Sequence, residues 1–191
     1  AATEYAEQAA LIWPRNPNLK EMQKEVMKLD NNDATINEFK SLLSRHQYRT
    51  IYDERSKFKV VAIDPELEKQ YEDCVMLIGT IDAMLAQIDV AAKQDKKMGP
   101  CMAYEMLLDF QEKDARYAED SAFKDAVVRF KVDAQEFVKA LDEAKVQEDR
   151  REYGSALANY YRAQCLCLPS NRAKEGIDRI SQLILAAKFP Q

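Results

Sequence analysis

Two long hydrophobic seams constrain this chain more than any other feature. Leu67, Tyr71, Cys74, Ile78, Ile81, Leu85, Ile88 and Ala92 recur at alternating steps of four and three, and Phe123, Val127, Phe130, Ala134, Phe137, Leu141 and Ala144 repeat the pattern. A 3.5-residue period keeps one face of a helix turned toward a partner helix, whereas a half-buried strand would alternate at every second residue. The segments 64–97 and 120–148 are therefore expected to be long helices in coiled-coil-like packing, each roughly 40 Å long at 1.5 Å per residue. With only 4 Gly and 6 Pro in 191 residues, the chain also lacks the turn residues that a sheet-rich fold consumes.

Start and stop signals place the helix ends. Asp64 before Pro65 is an N-cap followed by a residue suited to the first turn. Lys93, Lys96 and Lys97 suit the negative end of a helix dipole, and Gly99 before Pro100 predicts a left-handed stop near residue 97. Asn31, Asn32 and Asp33 predict a fresh start for a helix carrying Ile36, Phe39, Leu43 and His46. FKVVAI at 58–63 has the β-branched content of a strand but no second strand to pair with, so it reads as a helix end. Helices near 2–13, 17–29, 100–116, 151–168 and 172–188 complete seven or eight helices arranged as antiparallel hairpins. Residue 1 already lies within a periodic stretch, which suggests a chain cut from a longer one.

The helix junctions share an order. WPRNP at 13–17 and LPSN at 168–171 run from a large apolar residue through Pro to Asn, and YAED at 117–120 is comparable, with Asp120 as the capping residue. Upstream of them, Tyr153, Ala156, Tyr160 and Ala163 descend one helix, as do Ala2, Ala6 and Ala9. Small residues at these steps let another helix approach closely. This pattern resembles the tetratricopeptide (TPR) family, whose second helix carries Tyr, Ala, an aromatic and Ala at similar spacing before a Pro; here Pro169 arrives one residue late. The resemblance covers 2–29 and 136–188. It implies an all-α, TPR-like α-solenoid with longer coiled-coil-like helices in the middle. The expected organisation is a partial hairpin at 1–29, long helical hairpins over 30–118, and a TPR-like hairpin with a capping helix over 119–191, all in one continuous structural unit.

Little in the chain offers catalytic chemistry. It has one His, which falls on the stripe of Ile36, Phe39 and Leu43 and so reads as a packed or boundary residue. Cys74, Cys101, Cys165 and Cys167 contain no CxxC, and residues two apart on a helix diverge by about 200°, so Cys165 and Cys167 suit neither a mutual disulfide nor chelation. Cys74 and Cys167 sit on apolar stripes and read as buried small residues. Four unpaired cysteines favour a reducing cytoplasm, with a periplasmic domain as the alternative. The acid pairs Glu119–Asp120 and Asp142–Glu143 read as solvated charge. No metal, cofactor or catalytic residue is predicted, and a helical-bundle enzyme or cofactor carrier is the weakest of the function classes.

Lys and Arg total 28 against 33 Asp and Glu with the signs interspersed, a net charge of −5 that gives nucleic acid no electrostatic reason to bind. No uninterrupted apolar run reaches the ~18 residues of a membrane span, so direct membrane insertion is not expected. The expected function is a non-enzymatic scaffold or adaptor segment that binds protein partners or other parts of its parent chain, as the TPR resemblance implies. Trp13, Lys139, Arg150, Asn159 and Arg162 are the candidate contacts. The alternative is a self-associating structural element whose seams pair between copies, in the manner of the TPR-like parts of bacterial envelope secretion or pilus (secretin-type) machines.

Overall fold

The computed structural model describes Gln8, Ile12 and residues 18–188. Trp13, the 13–17 junction and the Ala2, Ala6, Ala9 stripe lie outside the described residues. Every described element is helical: α1 (Leu19–Ser44), α2 (Tyr48–Asp53), α3 (Pro65–Gln94), α4 (Gly99–Lys113), α5 (Ser121–Asp133), α6 (Gln135–Asp149), α7 (Tyr153–Leu166) and α8 (Asn171–Lys188), with 3-10 segments at Phe58–Ile63 and Ala115–Glu119. The chain forms two compact units whose boundary, between Gly79 and Thr80, falls inside α3.

In the first unit, Phe39, Ile51, Phe58, Val61, Leu67 and Cys74 form a core on which Ile36, Leu43 and Tyr71 pack. The Phe39 ring meets Phe58 at 5.7 Å and Tyr71 at 6.4 Å between centroids. FKVVAI contributes to this core as a 3-10 turn. With three residues per turn, Phe58 and Val61 fall on one side and are fully buried, while Ile63 faces solvent. Helix α1 runs without a break through Asn31, Asn32 and Asp33, so the expected restart is absent. Asn and Asp cost a helix interior only a few tenths of a kcal/mol, too little to interrupt it where no Gly or Pro intervenes. His46 is exposed at φ 57°, just beyond α1, instead of packed; its Nδ1 lies 2.7 Å from the Tyr48 hydroxyl.

The Asp64–Pro65 start is present. The Asp64 carboxylate accepts from the Glu66 and Leu67 amides at 2.9 and 3.4 Å. Along α3, Leu67, Cys74, Ile78, Ile81 and Ile88 are buried as the seam requires. This helix is long and apolar enough, by length and composition, to cross a membrane, although Asp82 and Asp89 interrupt it; a third of its most apolar stretch is buried, and Asp89 pairs with Arg129 of α5. Gly99 is not the left-handed stop that was expected, since no described glycine has positive φ. The helix ends at Gln94, and in the turn that follows the Asp95 carboxylate accepts from the Lys97 and Met98 amides at 2.7 and 3.0 Å, an arrangement that leads into α4. Gly99 opens α4, where a Cβ would stand 2.2 Å from the Ala92 carbonyl oxygen.

In the second unit, the expected single helix over 120–148 is two helices, α5 and α6, parted at Ala134. The first packs on α4 and the second on α7, so one straight axis cannot serve both partners. Asp120 caps α5 by accepting from the Phe123 amide at 3.0 Å and is 5% exposed, so it is not the solvated charge the sequence suggested. The cap of α8 is Ser170, whose Oγ accepts from the Ala173 amide at 3.0 Å; Asn171 is the first helical residue. Helices α6 and α7 form an antiparallel hairpin through a turn in which Arg151 takes φ 62°. Arg162 donates to Glu136 at 3.0 Å near one end, and Asn159 donates to Gln147 at 2.9 Å toward the other.

The cysteines require a further correction. Cys101, in the first turn of α4, and Cys167, at the C-cap of α7, form a disulfide with Cα atoms 6.1 Å apart, within the range such a bridge needs. Cys74 is a buried thiol and Cys165 an exposed one. The premise of four unpaired cysteines, and with it the argument for a reducing compartment, fails.

Candidate functional site

Four helices of the second unit line an open cleft of about 650 Å³. Helical spacing assembles it. Tyr104, Leu108 and Glu112 follow one another at four-residue steps on α4, and Arg172, Glu175 and Arg179 occupy positions i, i+3 and i+7 of α8. Helix α6 contributes Val138 and Leu141 to the apolar floor and Asp142, Lys145, Glu148 and Asp149 to the wall, while α7 supplies Tyr160.

Arg172 marks one end, and next to it on α8 the helix start is anchored by Glu105, a buried residue of α4 that is 8% exposed and does not itself line the cleft. Its carboxylate accepts a hydrogen bond from the Ser170 hydroxyl and another from the Asn171 amide at 3.1 Å, where the positive end of the α8 dipole favours an anion. Arg172 then donates to Asp109 at 2.6 Å and to Glu112 at 2.7 Å. Glu105, Asp109 and Glu112 lie at i, i+4 and i+7, so a single acidic stripe on α4 holds the first turn of α8.

At the other end, Arg179 grips Glu148 with two donors, at 2.6 and 2.7 Å. The Tyr160 hydroxyl donates to Glu148 at 2.7 Å and accepts from Arg179 at 3.1 Å. The Tyr160 ring lies on Gly176, where a Cβ would come within 2.4 Å of it. With its hydroxyl held by two partners, this ring cannot swing aside freely. Gly176→Ala is therefore expected to destabilise the second unit by about 1–3 kcal/mol, read by denaturant unfolding. A Tyr160→Phe, Gly176→Ala double variant should lose less than the sum of the two single changes, because freeing the hydroxyl frees the ring.

The same cluster sets a pH window. The Arg179 guanidinium holds the Glu148 carboxyl below its ordinary 4.5, while burial, followed by the Glu148 charge, pushes the Tyr160 phenol up to about 12. A depressed carboxyl contributes stability that is present above about pH 4.5 and is lost as pH falls through its folded value. A raised phenol contributes stability that is full below pH 10 and declines between 10 and about 12. Unfolding free energy measured against pH should therefore decline at both edges, and Tyr160→Phe should remove its share of the alkaline decline.

Between these two anchored ends the cleft keeps unused groups. Asp142, Asp149 and Glu175 make no ion pair with any described residue, and five lining carboxylates face three lining cations. Tyr104 is 9% exposed, and its hydroxyl has no hydrogen-bond partner among the described residues. Burial and the nearby Asp142 charge push its phenol up.

The sequence-derived contacts lie elsewhere. Lys139, 4.0 Å from Glu143, is exposed with Arg150 on the α6–α7 hairpin, while Asn159 and Arg162 join its two helices; none of the four lines the cleft. Tyr104, Asp142, Glu175 and Arg179 were not singled out as contacts, since charge at helical spacing reads as a solvated face. Among the described residues no group of three or more His, Cys, Asp or Glu could hold a metal ion. No family model, curated protein or solved structure matches this chain.

Proposed function

We propose that the chain is a protein–protein interaction scaffold, TPR-like in its last helices, whose second unit seats a segment of another protein in the cleft of α4, α6, α7 and α8. The observation that carries this reading is the cleft itself: an apolar floor of Leu108, Val138 and Leu141, walls braced at both ends by ion pairs, and polar groups between them left without partners. Docking there requires recognition and positioning, not a reacting group. The stripe of Ala156, Tyr160 and Ala163, buried along α7, supports the TPR likeness, because small residues at this spacing let helices stack closely. The Cys101–Cys167 pair supports an oxidising compartment, such as the periplasm of the envelope alternative.

Light scattering across a concentration series separates the scaffold from a self-associating element. The scaffold reading expects a constant mass of 22.0 kDa, leaving the cleft open to a different chain. A mass that doubles with concentration would favour seams paired between copies.

A further inference from the structure

We infer that the cleft takes a basic segment of its partner, with a Lys or Arg side chain laid over Leu108 and Leu141 and its charge placed at Asp142 and the Tyr104 hydroxyl. This rests on the scaffold reading and specifies the chemistry of the bound segment. Three independent features lead to it.

The first is the balance of charge that remains available. Arg172 is closed onto Asp109 and Glu112, and Arg179 onto Glu148, so the two guanidiniums that might attract an acidic peptide already have their carboxylates. Asp142, Asp149 and Glu175 are exposed and have no ion-pair partner among the described residues, leaving the lining negative by two charges. The second is Tyr104, a lining residue nine-tenths buried, whose hydroxyl has no hydrogen-bond partner among the described residues and lies within electrostatic reach of both Asp142 and Arg172. A phenol oxygen can accept from an ammonium or guanidinium, and the ring face also attracts cations. The third is shape. The lining of α6 extends from Val138 to Asp149, about 16 Å of helix at 1.5 Å per residue, which matches about five residues of extended chain. Lys and Arg stems are apolar and can cover the floor while the head reaches the carboxylates.

The test is an NMR titration of the uniformly labelled full chain with two synthetic peptides of leucine and alanine. One carries Lys at every third position and the other carries Glu at the same positions. The Lys peptide should shift the amide signals of Tyr104, Asp142 and Glu175, and its affinity should fall as salt is raised. Asp142→Asn with Glu175→Gln should weaken it about fivefold while leaving the remaining spectrum in place, because neither side chain holds another element. Equal or stronger shifts with the Glu peptide would overturn the inference about charge and leave the docking reading standing. Cleft signals that respond to neither peptide, or an affinity indifferent to the two substitutions, would also overturn it.

Discussion

Reducing the Cys101–Cys167 bond, or replacing both residues with Ser, should lower the stability of the second unit by about 4 kcal/mol. The bridge spans a sequence separation of 66 residues, and a cross-link of that span removes a large share of the conformational freedom of the unfolded chain. It also joins the start of α4 to the end of α7, so the unfolded state it restrains is that of the cleft-forming helices. A loss of this size corresponds to a fall in Tm of roughly 15–20 °C for a unit of about a hundred residues. Thermal melts with and without reductant measure it, and peptide mapping of the unreduced chain identifies the pair. Cys165→Ser should leave the melt unchanged, which separates the bridge from a general effect of reductant. Identical melts in both conditions would mean that Cys101 and Cys167 contribute only as buried thiols.

Glu105→Ala should cost about 3 kcal/mol, the other large effect. Removal of the carboxylate strips the Ser170 hydroxyl of its acceptor and leaves the Asn171 amide unpaired at the start of α8. Ser170 is fully buried, so water cannot replace the lost partner without opening the packing. Glu105→Gln keeps one acceptor oxygen but places an amide N–H₂ beside groups that donate, so it should recover only part of the loss. Denaturant unfolding of both variants gives the ordering. Because Ser170 caps α8, hydrogen exchange should also quicken in the first turn of that helix more than in α6 or α7.

The helical character of the chain was legible because it depends on local pattern. The α3 seam and the Asp64–Pro65 start appear where the spacing put them, and Asp120 caps α5 as read. What the pattern could not reveal is which partner each helix finds. The seam from Phe123 to Ala144 is continuous in sequence, yet the chain turns at Ala134 because α5 and α6 lie against different helices. Gly99 was misread as a left-handed stop: it opens α4 with negative φ, and a glycine is needed there because α4 passes close to the backbone at Ala92.

The site was less legible than the fold. Arg172, Glu175 and Arg179 look like ordinary surface charge in sequence, and only the packing of α8 against α4 and α6 turns them into the wall of a cleft. The disulfide was missed for the same reason, since Cys101 and Cys167 stand far apart in the chain on unrelated helices. The aromatic stripe did carry a usable signal: Tyr160, quoted for its TPR-like spacing, is the side chain that links Glu148 and Arg179.

The central claim, that the cleft of the second unit receives another protein, is tested most directly by site-specific photocrosslinking in the cells from which the chain comes. A benzophenone amino acid at position 108, inside the cleft, is compared with one at the exposed position 131 on α5, outside it. The account predicts one discrete adduct with a different protein from position 108, none from 131, and a lower yield of that adduct when Asp142→Asn and Glu175→Gln are combined. An adduct between two copies of this chain, or no adduct from the cleft, would contradict it.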